Sequence, residues 1–125
     1  MDTEADVADE DVLRDRALEE VERLLEAAVA LRADLEEHEA ACRLIIERVR
    51  VGDRVAPILD DVHSQKLRPK LTDSLGVYER LRHKARLRLI ALGVSEGMTS
   101  ADVQRQWAIT RQLASRALQE IKNLD

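Results

Sequence analysis

Apolar residues in the first half of the chain recur at alternating steps of three and four, which places them on one face of a long helix. The pattern holds from residue 12 to residue 51, and no proline or glycine interrupts it before Gly52. Two columns repeat every seven residues, a spacing typical of coiled coils. One column holds Val21, Ala28, Leu35, Cys42 and Val49, and the other holds Leu24, Leu31, His38 and Ile45. We predict that these columns form the seam of a homodimer; packing of the same face on the chain's own domain is the alternative.

Shorter helices are predicted after this segment. Gly52 and Pro57 mark a break before a short second helix. The stretch 64–70 is expected to be a connector, and Pro69 suits the first turn of a third helix that ends near Leu92. The inward side chains of that helix are predicted to be Leu71, Leu75, Tyr78, Leu81, Ala85, Leu89 and Leu92. The predicted fold class is therefore all-α, with a long, coiled-coil-like N-terminal helix followed by a small helical domain.

The last part of the chain carries signals for two short helices joined by a tight turn, at residues 99–123. Thr99 and Asp102 fit a capping box at the start of the first helix, and Thr110 fits the cap of the second. The inward side chains are predicted to be Val103 and Trp107 in the first helix and Ala114, Ala117, Leu118 and Ile121 in the second. Two such helices form a helix-turn-helix, which proteins use to enter the DNA major groove.

The opposite face of the second helix carries side chains that are suited to base recognition. Arginine can donate two hydrogen bonds to guanine, and glutamine can pair with adenine. The predicted base-reading residues are Arg111, Gln112, Ser115, Arg116 and Gln119. Hydroxyl and basic groups suit phosphate oxygens, which position a protein on DNA without specifying sequence. The predicted phosphate-contacting residues are Thr110, Arg80, Lys84, Arg88 and Lys122.

The run Ile109-Thr-Arg-Gln-Leu-Ala-Ser-Arg-Ala-Leu118 resembles the recognition half of bacterial helix-turn-helix regulators, where the pattern (V/I)-S-x-x-x-V-S-R-x-L is common. The preceding segment 86–103 is similar to the helix and the E-G-hydrophobic-(S/T) turn that open many such domains. The resemblance covers residues 84–123 and implies a DNA-binding regulator superfamily. The chain departs from the family pattern at Gln104, Ala108 and Ala114. The second of these positions usually holds glycine, because it often needs a positive φ.

Charge is distributed unevenly along the chain. Residues 1–63 carry 8 basic and 19 acidic side chains, whereas residues 77–125 carry 9 basic and 5 acidic ones. The formal net charge of −5 argues against nucleic acid as a partner, but the basic end coincides with the predicted helix-turn-helix. Six acidic side chains within residues 1–11 predict a disordered tail. The predicted regions are thus a tail at 1–11, a dimerisation region at 12–63 and a helical domain at 64–125.

The chain lacks the sequence signals of catalysis. Its three histidines are widely spaced, its one cysteine has no metal-ligand spacing to them, and its four glycines form no phosphate loop. We therefore expect no enzymatic activity, no metal and no cofactor. No apolar run approaches the roughly 20 residues that span a bilayer, and the N-terminus is acidic rather than signal-peptide-like. These features predict a cytoplasmic protein, associated with the nucleoid if it binds DNA.

Two functions from different classes remain open at this stage. The first is a sequence-specific transcriptional regulator whose dimer presents one helix-turn-helix per copy to double-stranded DNA. Such a dimer would contact half-sites separated by about 34–36 Å or a multiple of that distance. The second is an adaptor that keeps the helix-turn-helix shape without binding DNA. In that case the acidic long helix would bind a protein partner.

Overall fold

The computed structural model describes residues 3–124, with side chains from residue 9 onwards. The described chain forms five helices and contains no strand: α1 (Thr3–Arg50), α2 (Val55–Asp61), α3 (Ser64–Ser95), α4 (Ser100–Trp107) and α5 (Arg111–Ile121). The predicted all-α class is confirmed. Within the described residues, no helix combines the length and the apolar character that crossing a membrane requires.

Helix α1 begins nearer the N-terminus than the sequence predicted. Residues 3–11 were expected to belong to a disordered tail, but they form the first turns of α1, and Met1 and Asp2 lie outside the described residues. Acidic side chains near a helix N-terminus interact favourably with the helix dipole. Extension of an existing helix is also far easier than its nucleation. These two effects explain why an acidic segment, which is hydrophilic enough for a tail, continues the helix instead.

The second correction concerns the predicted connector. Residues 64–70 are helical, and Pro69 lies inside α3 rather than at its start. The chain reverses one residue earlier, at His63, whose φ of 54° is in the left-handed region. The carbonyl of His63 accepts hydrogen bonds from the backbone N–H groups of Lys66 and Leu67, at 2.9 and 3.0 Å. The turn is therefore complete before Ser64. Helix α3 continues through Pro69 although proline has no backbone N–H and one helical hydrogen bond is missing there.

The chain divides into two compact units, each of which contains parts of α1 and α3. The first unit consists of Met1–Leu24 with Leu81–Asp125, and the second consists of Leu25–Arg80. In the second unit Lys70 Nζ of α3 lies 3.1 Å from Glu37 Oε2 and 3.4 Å from Asp34 Oδ1 of α1, and Ser74, one turn later in α3, contacts the earlier of these two residues, so the two helices are antiparallel. The Ser74 hydroxyl also donates to Asp34. This division does not coincide with the boundary between residues 63 and 64 that the sequence suggested.

The core of the first unit lies among α3, α4 and α5. Its buried side chains are Leu87, Ile90, Val103, Ala114 and Ala117. Met98, Trp107, Ile109, Leu118, Ile121 and Leu124 pack against them and are partly buried. The predicted inward faces of α4 and α5 are confirmed, whereas two predicted inward residues of α3, Leu75 and Leu89, are exposed. In the C-terminal part of α3, Ala85 is buried as predicted, and Leu87 and Ile90 are buried although they were not predicted to be.

Candidate nucleic-acid interface

Helix α4 starts at the capping box that the sequence predicted. The Thr99 hydroxyl accepts a hydrogen bond from the Asp102 backbone N–H at 3.2 Å, and Asp102 Oδ2 accepts one from the Thr99 N–H at 2.9 Å. Arg105 lies on the next turn, with Nη2 3.2 Å from Asp102 Oδ1. The Thr99 backbone and hydroxyl donors, aided by Arg105, lower the pKa of the Asp102 carboxyl. The cap therefore holds a charged carboxylate at the positive end of α4.

The turn between α4 and α5 depends on a left-handed residue. Ala108 ends α4 with φ 50° and ψ 44°. The Ile109 backbone N–H then donates to the Gln104 carbonyl at 3.0 Å, which closes the helix end. A side chain with a Cβ in this conformation costs about 1–2 kcal/mol. The chain accepts this cost at the position where the helix-turn-helix pattern usually has glycine.

Helix α5 is held against the core by its small residues. Thr110 caps the helix, because its hydroxyl accepts from the Leu113 backbone N–H at 3.1 Å. Ala114 and Ala117 are buried, and with Val103 they form the centre of the core. Alanine at both positions lets the backbones of α4 and α5 approach closely. The orientation of α5 about its own axis is thereby fixed, and so is the face that it turns to solvent.

The outward face of α5 presents the five predicted base-reading residues together. All five are exposed: Arg111, Gln112, Ser115, Arg116 and Gln119. At about 100° per residue they span roughly 140° of the helix circumference, opposite the buried alanines. We call these five residues the α5 outer face. It carries two arginines and no carboxylate, so it offers hydrogen-bond donors and positive charge to an anionic ligand.

The predicted phosphate-contacting residues are placed less uniformly. Lys84 and Lys122 are exposed, and Thr110 keeps its hydroxyl proton for donation although its oxygen caps α5. Arg88 is half-buried and lines a small cavity with Leu13, Ala91 and Ile121. Arg80 belongs to the second compact unit, whereas the α5 outer face belongs to the first.

Sequence inspection missed a polar link between α3 and α5. His83 Nε2 lies 3.1 Å from Glu120 Oε2, and Arg86 Nη2 lies 2.9 Å from His83 Nδ1. Since the arginine can only donate, Nδ1 must accept, and Nε2 then donates to the carboxylate. Glu120 is thereby held beside α3, outside the α5 outer face. The sequence features that could have indicated this link are Glu120, the single acidic residue of α5, and His83 in the basic part of α3. Their pairing depends on tertiary packing, which the sequence pattern does not give.

The predicted dimer-seam residues separate into two sets on α1. Ala28, Leu24, Leu31 and Ile45 are half-buried within the single chain, and Val21, Leu35, Cys42, Val49 and His38 are exposed. Leu31 and Ile45 lie on the same side of α1 as Asp34, which contacts α3. The column that contains Leu31 is thus largely covered by other parts of the same chain, whereas most of the column that contains Leu35 faces solvent.

Within the described residues, no group of three or more histidine, cysteine or carboxylate side chains is arranged to hold a metal ion. The second unit contains an open groove of about 610 Å³. It is lined mainly by aliphatic carbon, including Ala40, Ala41, Leu44, Val62 and Leu67. Searches with the sequence and the structure found no matching protein-family model, no matching curated protein and no matching solved structure.

Proposed function

We propose that the protein is a DNA-binding regulator that inserts the α5 outer face into the major groove and acts as a dimer. The observation that carries the proposal is the clustering of Arg111, Gln112, Ser115, Arg116 and Gln119 on one exposed, carboxylate-free face. The major groove of B-DNA admits an α-helix, and these residue types match its donor and acceptor edges. Each good bidentate contact would contribute about 1–3 kcal/mol of discrimination between bases.

The supports of α5 strengthen the proposal. The helix is 11 residues long, is capped by Thr110 and packs on the core through two buried alanines, so its outer face is directed to solvent without any ligand. Lys122 lies near its C-terminal end, and Lys84 lies exposed on α3. Basic side chains of this kind contribute affinity through phosphates, while the α5 outer face would contribute sequence preference.

A salt titration tests the proposal. Binding to mixed genomic DNA fragments is measured at several salt concentrations for the wild type and for Arg111→Ala/Arg116→Ala. We expect affinity that falls steeply with salt, and a loss of roughly 10- to 100-fold in the double variant, since charged and base-edge contacts are both removed. Arg50→Ala/Arg54→Ala is the matched control, because it removes the same charge from the second unit. The control variant should bind DNA within about twofold of the wild type.

Two results would contradict the proposal: no binding at low salt, or equal losses in the two double variants. Circular dichroism of each variant shows whether the helices are intact. Both arginines of α5 are exposed, so their removal should leave the fold unchanged.

The second candidate function is that of a helical adaptor, and the open groove of the second unit favours it. Its apolar lining, with Glu37 and Lys70 at the edge, suits the apolar side chains of a partner helix. Leu44→Glu would place a carboxylate in this groove. The adaptor hypothesis predicts loss of partner binding in this variant with DNA binding absent throughout, whereas the regulator hypothesis predicts that DNA affinity is retained.

A further inference from the structure

In the second unit, α1 carries a second heptad stripe beside the one that contacts α3. Its positions are separated by alternating steps of three and four: Leu25, Ala28, Arg32, Leu35, Glu39, Cys42 and Ile46. We call these seven residues the outer stripe. Alternating steps of three and four keep the stripe on one face of the helix over three heptads, which corresponds to about 32 Å of helix length.

Five of the seven outer-stripe residues are apolar, and most of the stripe is exposed. Leu25 is 64% exposed, Leu35 is 45% exposed and Ile46 is 50% exposed, and Cys42 also faces solvent. Large aliphatic side chains at regular heptad positions are the knobs that a partner helix covers in a coiled coil. Isolated exposed leucines need no explanation, but exposed apolar side chains that share one face of a helix are typical of an interaction surface.

The two charged members of the stripe indicate which partner covers it. Arg32 and Glu39 lie three residues before and four residues after Leu35. Two antiparallel copies centred near Leu35 would therefore bring Arg32 of each copy within about one turn of Glu39 of the other. A parallel in-register pair would instead set Arg32 against Arg32 and Glu39 against Glu39. Like charges facing each other along a seam select against that pairing.

The present contacts of these two side chains leave the pairing available. Within the described part of the chain, Arg32 forms no hydrogen bond or ion pair. Glu39 Oε1 lies 2.5 Å from Arg43 Nη2 of the same helix, but both side chains are more than half exposed. A carboxylate can accept from two arginines, so the second contact does not require the first to break.

We infer that the outer stripe is the interface of an antiparallel homodimer, in which the α1 segments of two copies pair about a two-fold axis near Leu35. This inference specifies the dimer of the proposed function. It keeps Ala28, Leu35 and Cys42 from the predicted seam, and it replaces the seam column that lies towards α3 by Leu25, Arg32, Glu39 and Ile46. The apolar knobs supply affinity, and the two Arg32–Glu39 pairs set direction and register. It is tested without DNA, so its failure is distinguishable from a failure of DNA binding.

A charge exchange tests the pairing. Sedimentation of the full chain over a concentration series gives the dimer dissociation constant. Arg32→Glu should raise that constant about tenfold or more, because it sets carboxylates against carboxylates at two places. Adding Glu39→Arg should restore it to within about threefold of the wild type, because both pairs re-form with reversed sign. Arg68→Glu, an exposed position on α3 with the same charge change, is the matched control and should have no effect.

Cross-linking with a short thiol-reactive reagent tests the direction. Cys42 is the single cysteine, and in the antiparallel pair it lies far from Cys42 of the second copy. Wild-type dimers should therefore not cross-link. Ala28→Cys should cross-link efficiently, because an axis near Leu35 places residue 28 of one copy opposite Cys42 of the other, and Cys42→Ser should abolish this product. A monomer at every concentration, cross-linked wild type, or no rescue by the charge exchange would each overturn the inference.

Discussion

The α4–α5 pair and the α1 segment of the second unit are both amphipathic, but they bury their apolar faces in different ways. In α4–α5 the apolar faces meet within one chain, and Val103 and Ala114 are fully buried. In α1 one apolar stripe contacts α3, while the neighbouring one leaves Leu25 and Leu35 in solvent. A short helix with one apolar face has a single way to pack. A long helix with two adjacent stripes keeps one of them available for a partner.

The largest expected contrast is between a buried and an exposed aliphatic residue. Ile90 is fully buried in the α3–α5 core, so Ile90→Ala should lower the free energy of unfolding by about 3 kcal/mol. Leu35→Ala should change it by less than about 0.5 kcal/mol at dilutions where the chain is monomeric. Urea denaturation followed by circular dichroism measures both. Equal losses in the two variants would show that the outer stripe is covered within the single chain.

The packing of the Met98 side chain against Gly93 gives the next largest effect. A Cβ built on Gly93 would lie 2.2 Å from Met98 Sδ, which is far inside contact distance. Gly93→Ala should therefore destabilise the first unit by about 2 kcal/mol, since overpacking of a core typically costs 1–3 kcal/mol. Met98→Ala in the same chain should recover part of that loss by removing the obstacle. Gly76→Ala is the control, because nothing lies within 4 Å of its built Cβ and it should stabilise α3 slightly.

A substitution of the left-handed residue at the end of α4 should stabilise the protein, whereas the core substitutions should destabilise it. Ala108→Gly should raise the free energy of unfolding by about 1 kcal/mol, because glycine adopts φ 50° without the penalty that a Cβ imposes. Ala33→Gly, at an exposed position within α1, should lower it by about 1 kcal/mol. Thermal unfolding of the two variants compares the same substitution in the two regions. A destabilised Ala108→Gly chain would contradict the strain assigned to the turn.

Sequence predicted the α4–α5 region well because its signals are local. The capping box at Thr99, the cap at Thr110 and the apolar spacing of α5 all act within a few residues of each other. The choice between adjacent faces of a helix is not local, since it depends on which partner is present. For that reason the apolar spacing predicts an inward position for Leu75 and Leu89, which are exposed, and does not predict the burial of Ile90. The predicted seam likewise combined residues on the α3 side of α1, such as Leu31 and Ile45, with residues of the outer stripe, such as Leu35.

The smallest expected effect is the pH dependence of stability that two carboxyl groups with lowered pKa values produce, one in each unit. Thr99 donors lower the pKa of Asp102, and the Ser74 hydroxyl, followed by Lys70, lowers that of Asp34. A carboxyl with a lowered folded-state pKa stabilises the fold above its unfolded pKa, near 3.8, and this contribution is lost as pH falls through the lower folded value. Asp102→Asn should therefore be less stable than wild type at pH 6, and the difference should shrink below pH 4. Asp34→Asn should behave in the same way, in the other unit. The measurement is the unfolding free energy from pH 2 to pH 7, and a difference that stays constant over this range would rule out the charged cap as its source.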